Sequence, residues 1–332
     1  MLTLSLALRL SLLFIGALLA AGGGSSASAR PATRSASQAE HGPVPPAEDI
    51  APALRGPALI AVDGKGGLEY WPIDPKGGHH PQALIGGLHL GVSAGIAADG
   101  QRIAIPSGNE VVIYDLRSGA ETMLPNPYGF PADIAIDKHG ALFITDFVGS
   151  SSSITWYAPP SYRPHQLGCA LLQDPTAIAI DNEGDIFTSQ NGDNYTGVIE
   201  FPNPRRGGSQ SCSELPLKPE TGYEAGLAID PKTDDLIVLD DPDECAGGVE
   251  GRMTIYAKPY RRQTGVSHDL GANCAGTLRL DATSTIAFVG DSTVSGGRGY
   301  ILQRTYPDGK ALGTYSGGSP AGFTTIPNTL PN

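Results

Sequence analysis

The sequence predicts an all-β fold: a six-bladed β-propeller of four-stranded antiparallel blades, closed by a C-terminal strand. Three observations carry this. An apolar stretch ending in Asp recurs along the chain, each copy is followed by a turn and more short strands, and one apolar segment is left over at the C-terminus. The copies read AGIAAD to Asp99, ADIAID to Asp137, TAIAID to Asp181, AGLAID to Asp230 and GTLRLD to Asp281, with spacings of 38, 44, 49 and 51 residues. Four short strands in a unit of about 40 to 45 residues is the pattern of a propeller blade.

The strands of a blade follow in order. After each repeat Asp comes a turn (DGQ, DKHG, DNEG, DPKTDD, DATS) and then a second strand: RIAIP, ALFITD, DIFTSQ, DLIVLD and IAFVGD. Third strands follow in EVVIYDL, SITWYAP, GVIEFP, RMTIYAKP and GYILQRTYP, and a weaker fourth strand precedes the next copy. Near the start, ALIAVD to Asp63 and GLEYWPID match the second and third strands of a blade that has no first strand. The C-terminal segment AGFTTIP at 321–327 has the right character to supply it. The ring then closes with six blades and leaves no unpaired sheet edge at the junction. Ankyrin and tetratricopeptide arrays use shorter, helical units, and no amphipathic helix of ordinary length is written in this region.

Composition agrees and narrows the function classes. The 332 residues include 44 Gly and 28 Pro and are only 17% charged, which suits short strands and tight turns. The formal net charge of -12 leaves no basic face for phosphate backbones or an anionic membrane, so nucleic acid is not an expected partner.

Residues 1–29 carry one basic residue, Arg9, an apolar run from Leu10 to Ala21 and small residues ending Ala27-Ser28-Ala29, the layout of a signal peptide cleaved after Ala29. The run is too short for the roughly 20 residues that span a bilayer, so no transmembrane span is expected in the mature chain. Residues 30–56 have neither strand nor helix periodicity and are expected to be a disordered linker. The propeller is expected over 57–332, outside the cytoplasm, either secreted or periplasmic, and as a monomer.

The segments PADIAIDKHGALFITDF and PTAIAIDNEGDIFTSQNG resemble NHL repeats, and the blade count is similar to the wider group of SMP-30 type lactonases and strictosidine-synthase-like proteins. The resemblance covers most of 57–327 and implies the propeller fold, but it implies no single activity. Lactonases of that group bind a divalent metal through a Glu, an Asn and an Asp facing the channel, with the Asn in a Pro-Asn-Gly run that opens an inner strand. The matching openings here, Pro131-Ala132-Asp133, Pro175-Thr176-Ala177 and Glu224-Ala225-Gly226, lack the Asn, so that activity is not carried over.

The ends of the second strands form the candidate site: Asp63, Pro106, Asp146, Gln190, Asp240 and Asp291. Repetition places these ends on one face near the channel mouth. A hard cation or a polar ligand would suit such converging oxygens. Alternatively, each Asp bonds the amides of its own following turn, which explains it without a ligand. Asp240, Asp241 and Asp243 in the run DDPDE give a candidate calcium cluster, although neither it nor Gln190-Asn191-Gly192-Asp193-Asn194 matches a twelve-residue calcium loop.

No Cys or His pair has zinc spacing, and neither a nucleophile elbow nor a P-loop is written. His79 and His80 fall in an outer turn, His139 in an inter-strand turn, and His165 and His268 on outer strands. Asn194-Tyr195-Thr196 satisfies the glycosylation pattern.

The four cysteines, Cys169, Cys212, Cys245 and Cys274, favour disulfides in an exported chain. Cys245 and Cys274 are the expected pair, because their two loop types emerge on the same face. Cys169 and Cys212 form the other candidate pair, on outer strands of adjacent blades that diverge radially. The function expected is a binding or interaction module for an unknown protein or small polar ligand. Two alternatives are open: a metal-dependent hydrolase or lactonase using the channel-mouth carboxylates, with calcium as the candidate cofactor, and a structural envelope protein.

Overall fold

The computed structural model of the chain describes residues 56–62, 67–74, 81–85, 95–147, 152–192, 195–206, 211–218, 223–241, 251–267, 270–292, 299–316 and 322–326. These residues form six four-stranded antiparallel sheets. Blade 1 comprises β1 (Ala58–Val62), β2 (Leu68–Pro72) and β3 (Gln82–Ile85), with β24 (Phe323–Ile326) as its inner strand. Blade 2 runs from β4 (Ala97–Ala98) through β5 (Arg102–Ser107) and β6 (Glu110–Asp115) to β7 (Glu121–Pro125). Blade 3 has β8 (Phe130–Ile136), β9 (Leu142–Phe147), β10 (Ser153–Ala158) and β11 (Arg163–Leu167). Blade 4 has β12 (Pro175–Ile180), β13 (Ile186–Gly192), β14 (Tyr195–Phe201) and a two-residue β15 (Ser213–Glu214). Blade 5 spans β16 (Tyr223–Ile229), β17 (Leu236–Asp241), β18 (Arg252–Ala257) and β19 (Arg262–Ser267). Blade 6 spans β20 (Ala275–Leu280), β21 (Ile286–Asp291), β22 (Tyr300–Thr305) and β23 (Ala311–Ser316).

The expected closure is present. The pairs Ala58↔Ile326 through Ala61↔Phe323 join the two ends of the propeller, and the Val62 amide donates to the Gly322 carbonyl at 2.9 Å.

The core is a set of seams between neighbouring blades. Side chains alternate along a strand, so each strand presents one face to the preceding blade and one to the following blade. Strand β9 shows the rule: Leu142 and Ile144 pack with Leu124 and Val111 of blade 2, while Phe143 packs with Ile178 and Ile199 of blade 4. This is why the strands read as continuous apolar runs such as ALIAV, buried throughout, despite being antiparallel.

The repeat Asp residues shape the turns between first and second strands. Asp137 Oδ1 accepts from the amides of His139 and Ala141, both at 2.9 Å, and Asp181 Oδ1 accepts from those of Glu183 and Asp185 in the same way. A carboxylate that satisfies two turn amides explains why Asp recurs at this step.

Candidate functional site

Strand register defines the loop-face ring at the ends of the second strands. The residues in register are Ser107, Asp146, Gln190, Asp240 and Asp291, because each lies five residues beyond the carbonyl that closes its turn, at Arg102, Ala141, Asp185, Asp235 and Ile286. Blade 2 therefore contributes Ser107 where the sequence suggests Pro106; its turn is shorter, and Pro106 faces the other seam. Asp63 lies outside the described residues.

Four of these side chains are buried: Asp146, Gln190 and Asp240 are fully covered and Asp291 is 3% exposed, while Ser107 is half-buried. The polar partners differ from blade to blade. Asp146 accepts from Asn126 Nδ2 at 2.7 Å on one oxygen and from the Thr155 hydroxyl on the other. Burial pushes its carboxyl above the ordinary carboxylate range, and those two donors only partly offset the shift. Asp291 Oδ1 accepts from the Cys274 amide at 3.0 Å, and Gln190 Oε1 from the Gln173 amide at 3.1 Å. These amides belong to the connection that enters the blade, 17 residues earlier, and not to the following turn. In blades 3, 4 and 6 the loop-face residue thus pins the blade to the segment leading into it.

Asp240 and Asp241 are both buried. Arg252 grips Asp240 Oδ2 with Nε at 3.0 Å and Nη2 at 2.7 Å, so one oxygen of the calcium candidate already carries a guanidinium. Asp243 lies outside the described residues. Among the described residues no three His, Cys, Asp or Glu side chains gather closely enough to hold a metal.

Sequence reasoning missed a second polar arrangement, on the channel. In blades 3 to 6 the inner strand carries a register irregularity near its start, between Pro131 and Asp133, Pro175 and Ile178, Glu224 and Gly226, and Ala275 and Thr277. Such bulges re-aim side chains. Hydroxyls of the second strand take up the displaced amides: Thr145 Oγ1 accepts from Asp133 N at 2.9 Å and Ser189 Oγ from Ala177 N at 3.0 Å. Asp133 meets Arg279 Nη2 at 2.7 Å. The signal for Arg279 was present in the repeat, where the residue two before Asp is Ala97, Ala135, Ala179 and Ala228 in four copies and Arg279 in the fifth.

On the opposite, turn face, the repeat Asp also reaches the next blade, through its second oxygen in Asp137 and Asp181 and through the turn-capping Oδ1 itself in Asp230. Asp137 Oδ2 pairs with Arg205 of blade 4 at 2.6 Å. Asp181 Oδ2 pairs with Lys258 of blade 5 at 2.8 Å and accepts from the Tyr260 hydroxyl at 3.1 Å. Asp230 accepts from the Ser284 hydroxyl of blade 6 at 2.5 Å. In blade 2, Arg102 bonds Asp99 and also the hydroxyl of Tyr162 in blade 3. An open cleft of about 540 Å³ lies on this face, lined by Asp99, Arg102, Asp137, Lys138 and His139.

Cys169 and Cys212 form a disulfide with a Cα–Cα distance of 6.1 Å. Neither cysteine sits within an outer strand. Cys169 lies in the connection out of β11 and Cys212 just before β15, and both lie against the apolar seam between blades 3 and 4. The expected partner of Cys274, Cys245, is outside the described residues, and no described cysteine is a free thiol.

Comparison with known proteins places the fold. No protein-family model and no curated protein matches the chain. Among solved structures, it is similar to a chain of the nidogen/laminin complex, at 16% identity and a TM-score of 0.65 over 83% of this chain and all of that one. It is also similar to TolB from Acinetobacter baumannii, at 12% identity and a TM-score of 0.59 over 82% of this chain and 67% of that one. A third likeness is to XC5397 from Xanthomonas campestris, described as a gluconolactonase, at 19% identity and a TM-score of 0.54 over 75% of this chain and 81% of that one. At these identities the likeness is one of fold.

Proposed function

We propose that this chain is an exported propeller of the NHL-like kind that serves as a binding module and meets a protein partner on its loop face. The observation that carries the reading is Phe130, which is 60% exposed at the start of inner strand β8 and directly opposite Phe147 in the sheet. Exposed aromatic side chains of this sort are favoured at the centres of protein interfaces. The loop-face carboxylates support the same reading, since Asp146, Asp240 and Asp291 are engaged by donors of their own chain. The likeness to a propeller from a protein complex is in keeping with it. Export rests on the signal-peptide pattern of residues 1–29 and is in keeping with the disulfide. No described helix is long and apolar enough to cross a membrane.

Site-specific photo-crosslinking in the exporting cell tests this. A crosslinker at position 130 is expected to give a discrete protein adduct, and one at Met123, equally exposed on an outer strand, is expected to give none. Equal labelling at both positions, or no adduct at 130, overturns the reading. The hydrolase alternative is tested by calcium titration of the thermal midpoint. A concentration-dependent rise that is lost on Asp240→Asn, together with lactone hydrolysis, would establish it in place of the binding module.

A further inference from the structure

The pair Asp133–Arg279 joins the inner strands of blades 3 and 6, and 146 residues separate its members. Inner strands contact one another in the order β24, β4, β8, β12, β16, β20 and back to β24, so β8 and β20 stand on opposite sides of a six-membered ring. A 2.7 Å contact between them therefore crosses the channel axis. The register explains how a guanidinium fits there. The inner-strand position that Arg279 occupies in blade 6 is held by Ala97, Ala135, Ala179 and Ala228 in blades 2 to 5 and by Thr324 in blade 1. Five small side chains leave room for one large one.

Asp133 is held in place independently of Arg279. Its Oδ1 accepts from the Ile134 amide at 2.9 Å, and its Oδ2 from the Ile178 amide of blade 4 at 3.1 Å. Gly95 of blade 2 completes the seat, since a Cβ there would come within 2.8 Å of Asp133 Cα. Two backbone amides fix the charged carboxylate and its orientation, and the side chain is only 6% exposed. A buried anion beside the channel axis is a place for a cation. The cation is supplied by the chain itself, with Arg279 Nη1 anchored to the Leu278 carbonyl at 2.9 Å.

We infer that Asp133 forms a preorganised cation seat on the channel axis, and that Arg279 is its internal ligand, sealing the channel between the loop face and the turn face. The seat takes a guanidinium because the planar fork can bond the carboxylate and a carbonyl at once, a geometry that an ammonium on the same stem does not reproduce. A ligand bearing a guanidinium can occupy the seat only when Arg279 is absent or displaced.

The test is chemical rescue of Arg279→Ala. The variant is expected to lose several degrees of thermal midpoint, and millimolar ethylguanidinium to restore part of that loss saturably. Ethylguanidinium should leave the unsubstituted protein unmoved and should not rescue Arg279→Ala combined with Asp133→Asn. An unchanged midpoint in Arg279→Ala, or equal rescue with and without Asp133, overturns the inference. If Arg279→Ala does not fold, the unsubstituted protein decides by NMR. The Arg279 Nη protons, which bond Asp133 and the Leu278 carbonyl, are expected to exchange at least tenfold more slowly than those of the exposed Arg117, because buried, hydrogen-bonded protons open rarely; equal exchange rates overturn it.

Discussion

Carboxylates flank the second strands of blades 3, 5 and 6 on both sides, the repeat Asp before the turn and Asp146, Asp240 or Asp291 at the far end, and the two rings behave differently. On the turn face, Asp137 and Asp181 divide their labour: one oxygen caps turn amides of their own blade and the other meets a cation of the next blade. On the loop face, Asp146 and Asp291 are buried in a seam and accept from neutral donors, a side-chain amide and hydroxyl in one case and a backbone amide in the other. One residue type thus links a blade forward to its successor on one face and backward to its entering segment on the other. The difference lies in the solvent access of the donor: the cations of Asp137 and Asp181 are partly wet, as is Arg252 on loop-face Asp240, whereas Asp146 and Asp291 lie where only short fixed donors reach.

Both rings presuppose a closed circle, so the largest effect is expected from opening it. Deleting residues 322–332 removes β24, strips Ala58–Ala61 of their inner partner and takes buried Phe323 and Ile326 out of the seams on either side of blade 1. At about 1.5 to 3 kcal/mol for each large side chain and about 1 kcal/mol for each strand hydrogen bond, the loss is roughly 5 to 10 kcal/mol. That is comparable to the whole stability of a domain. Chemical denaturation should show no cooperative native baseline for the truncated chain. A retained midpoint would mean that the seams hold without closure.

The disulfide comes next, because it fixes the seam between blades 3 and 4 covalently. Its cysteines are 43 residues apart, for which loop entropy predicts about 4 kcal/mol. Replacing both Cys169 and Cys212 with Ser should lower stability by up to that amount and preferentially raise amide exchange in β11 and β15. Uniform exchange across all blades would show instead that the bond acts only through the unfolded chain.

Acid titration separates the two rings by sign. Burial alone would raise Asp281, but the Thr283 hydroxyl and the amides of Ile286 and Thr285 outweigh it and hold the carboxyl below its ordinary range. Asp230 is lowered in the same sense by Ser284 and Lys232. Such groups contribute stability that is present above the unfolded value, about 3.9, and is lost as pH falls through the lower folded value. Asp146 is raised, so its ionised form carries a penalty above its folded value, and that penalty is relieved as pH falls toward the unfolded one. The destabilisation caused by Asp281→Asn should therefore shrink with falling pH. That caused by Asp146→Asn should grow, because protonation relieves the native protein of a burial penalty that the uncharged Asn never carried. Parallel pH profiles for the two variants would remove the distinction between the rings.

How much of this was legible in the sequence depended on distance along the chain. The repeat Asp bonds amides two to four residues away, so its role left a local pattern from which the blades, their number and the closing strand follow. Its second partner left none: Lys258 is 77 residues from Asp181, in a turn whose Pro and Tyr only signal a bend. The loop-face residues stand out as a set because they recur, but their orientation into seams depends on register, which a one-residue difference in a turn length shifts, as at Ser107. Strand direction argues against pairing Cys169 with Cys212, while the connections beside those strands bring them together. Arg279 was visible only as the break in a run of alanines, and its partner Asp133 only as a strand opening.

The smallest effect is expected at the cation that serves the turn-face ring most fully. Lys258 meets Asp181 at 2.8 Å, Asp234 at 2.9 Å and Glu183 at 3.1 Å, but a third of its side chain is open to water. Burial alone would lower its pKa; hydrogen bonds from the ammonium to these carboxylates reverse that and raise it. Solvent screening limits what the contacts contribute, so Lys258→Met should cost about 1 kcal/mol at low salt and less at high salt. Asp181 would keep the amides of Glu183 and Asp185 and the Tyr260 hydroxyl, so its turn should stay intact. A double-mutant cycle with Asp181→Asn isolates the pair. A coupling of about 0.5 to 1 kcal/mol that fades with salt fits an exposed forward link. A coupling above about 3 kcal/mol that ignores salt would show the turn face to be as closed as the loop-face seams, and the contrast between the two rings would then have to rest on which blade each one reaches.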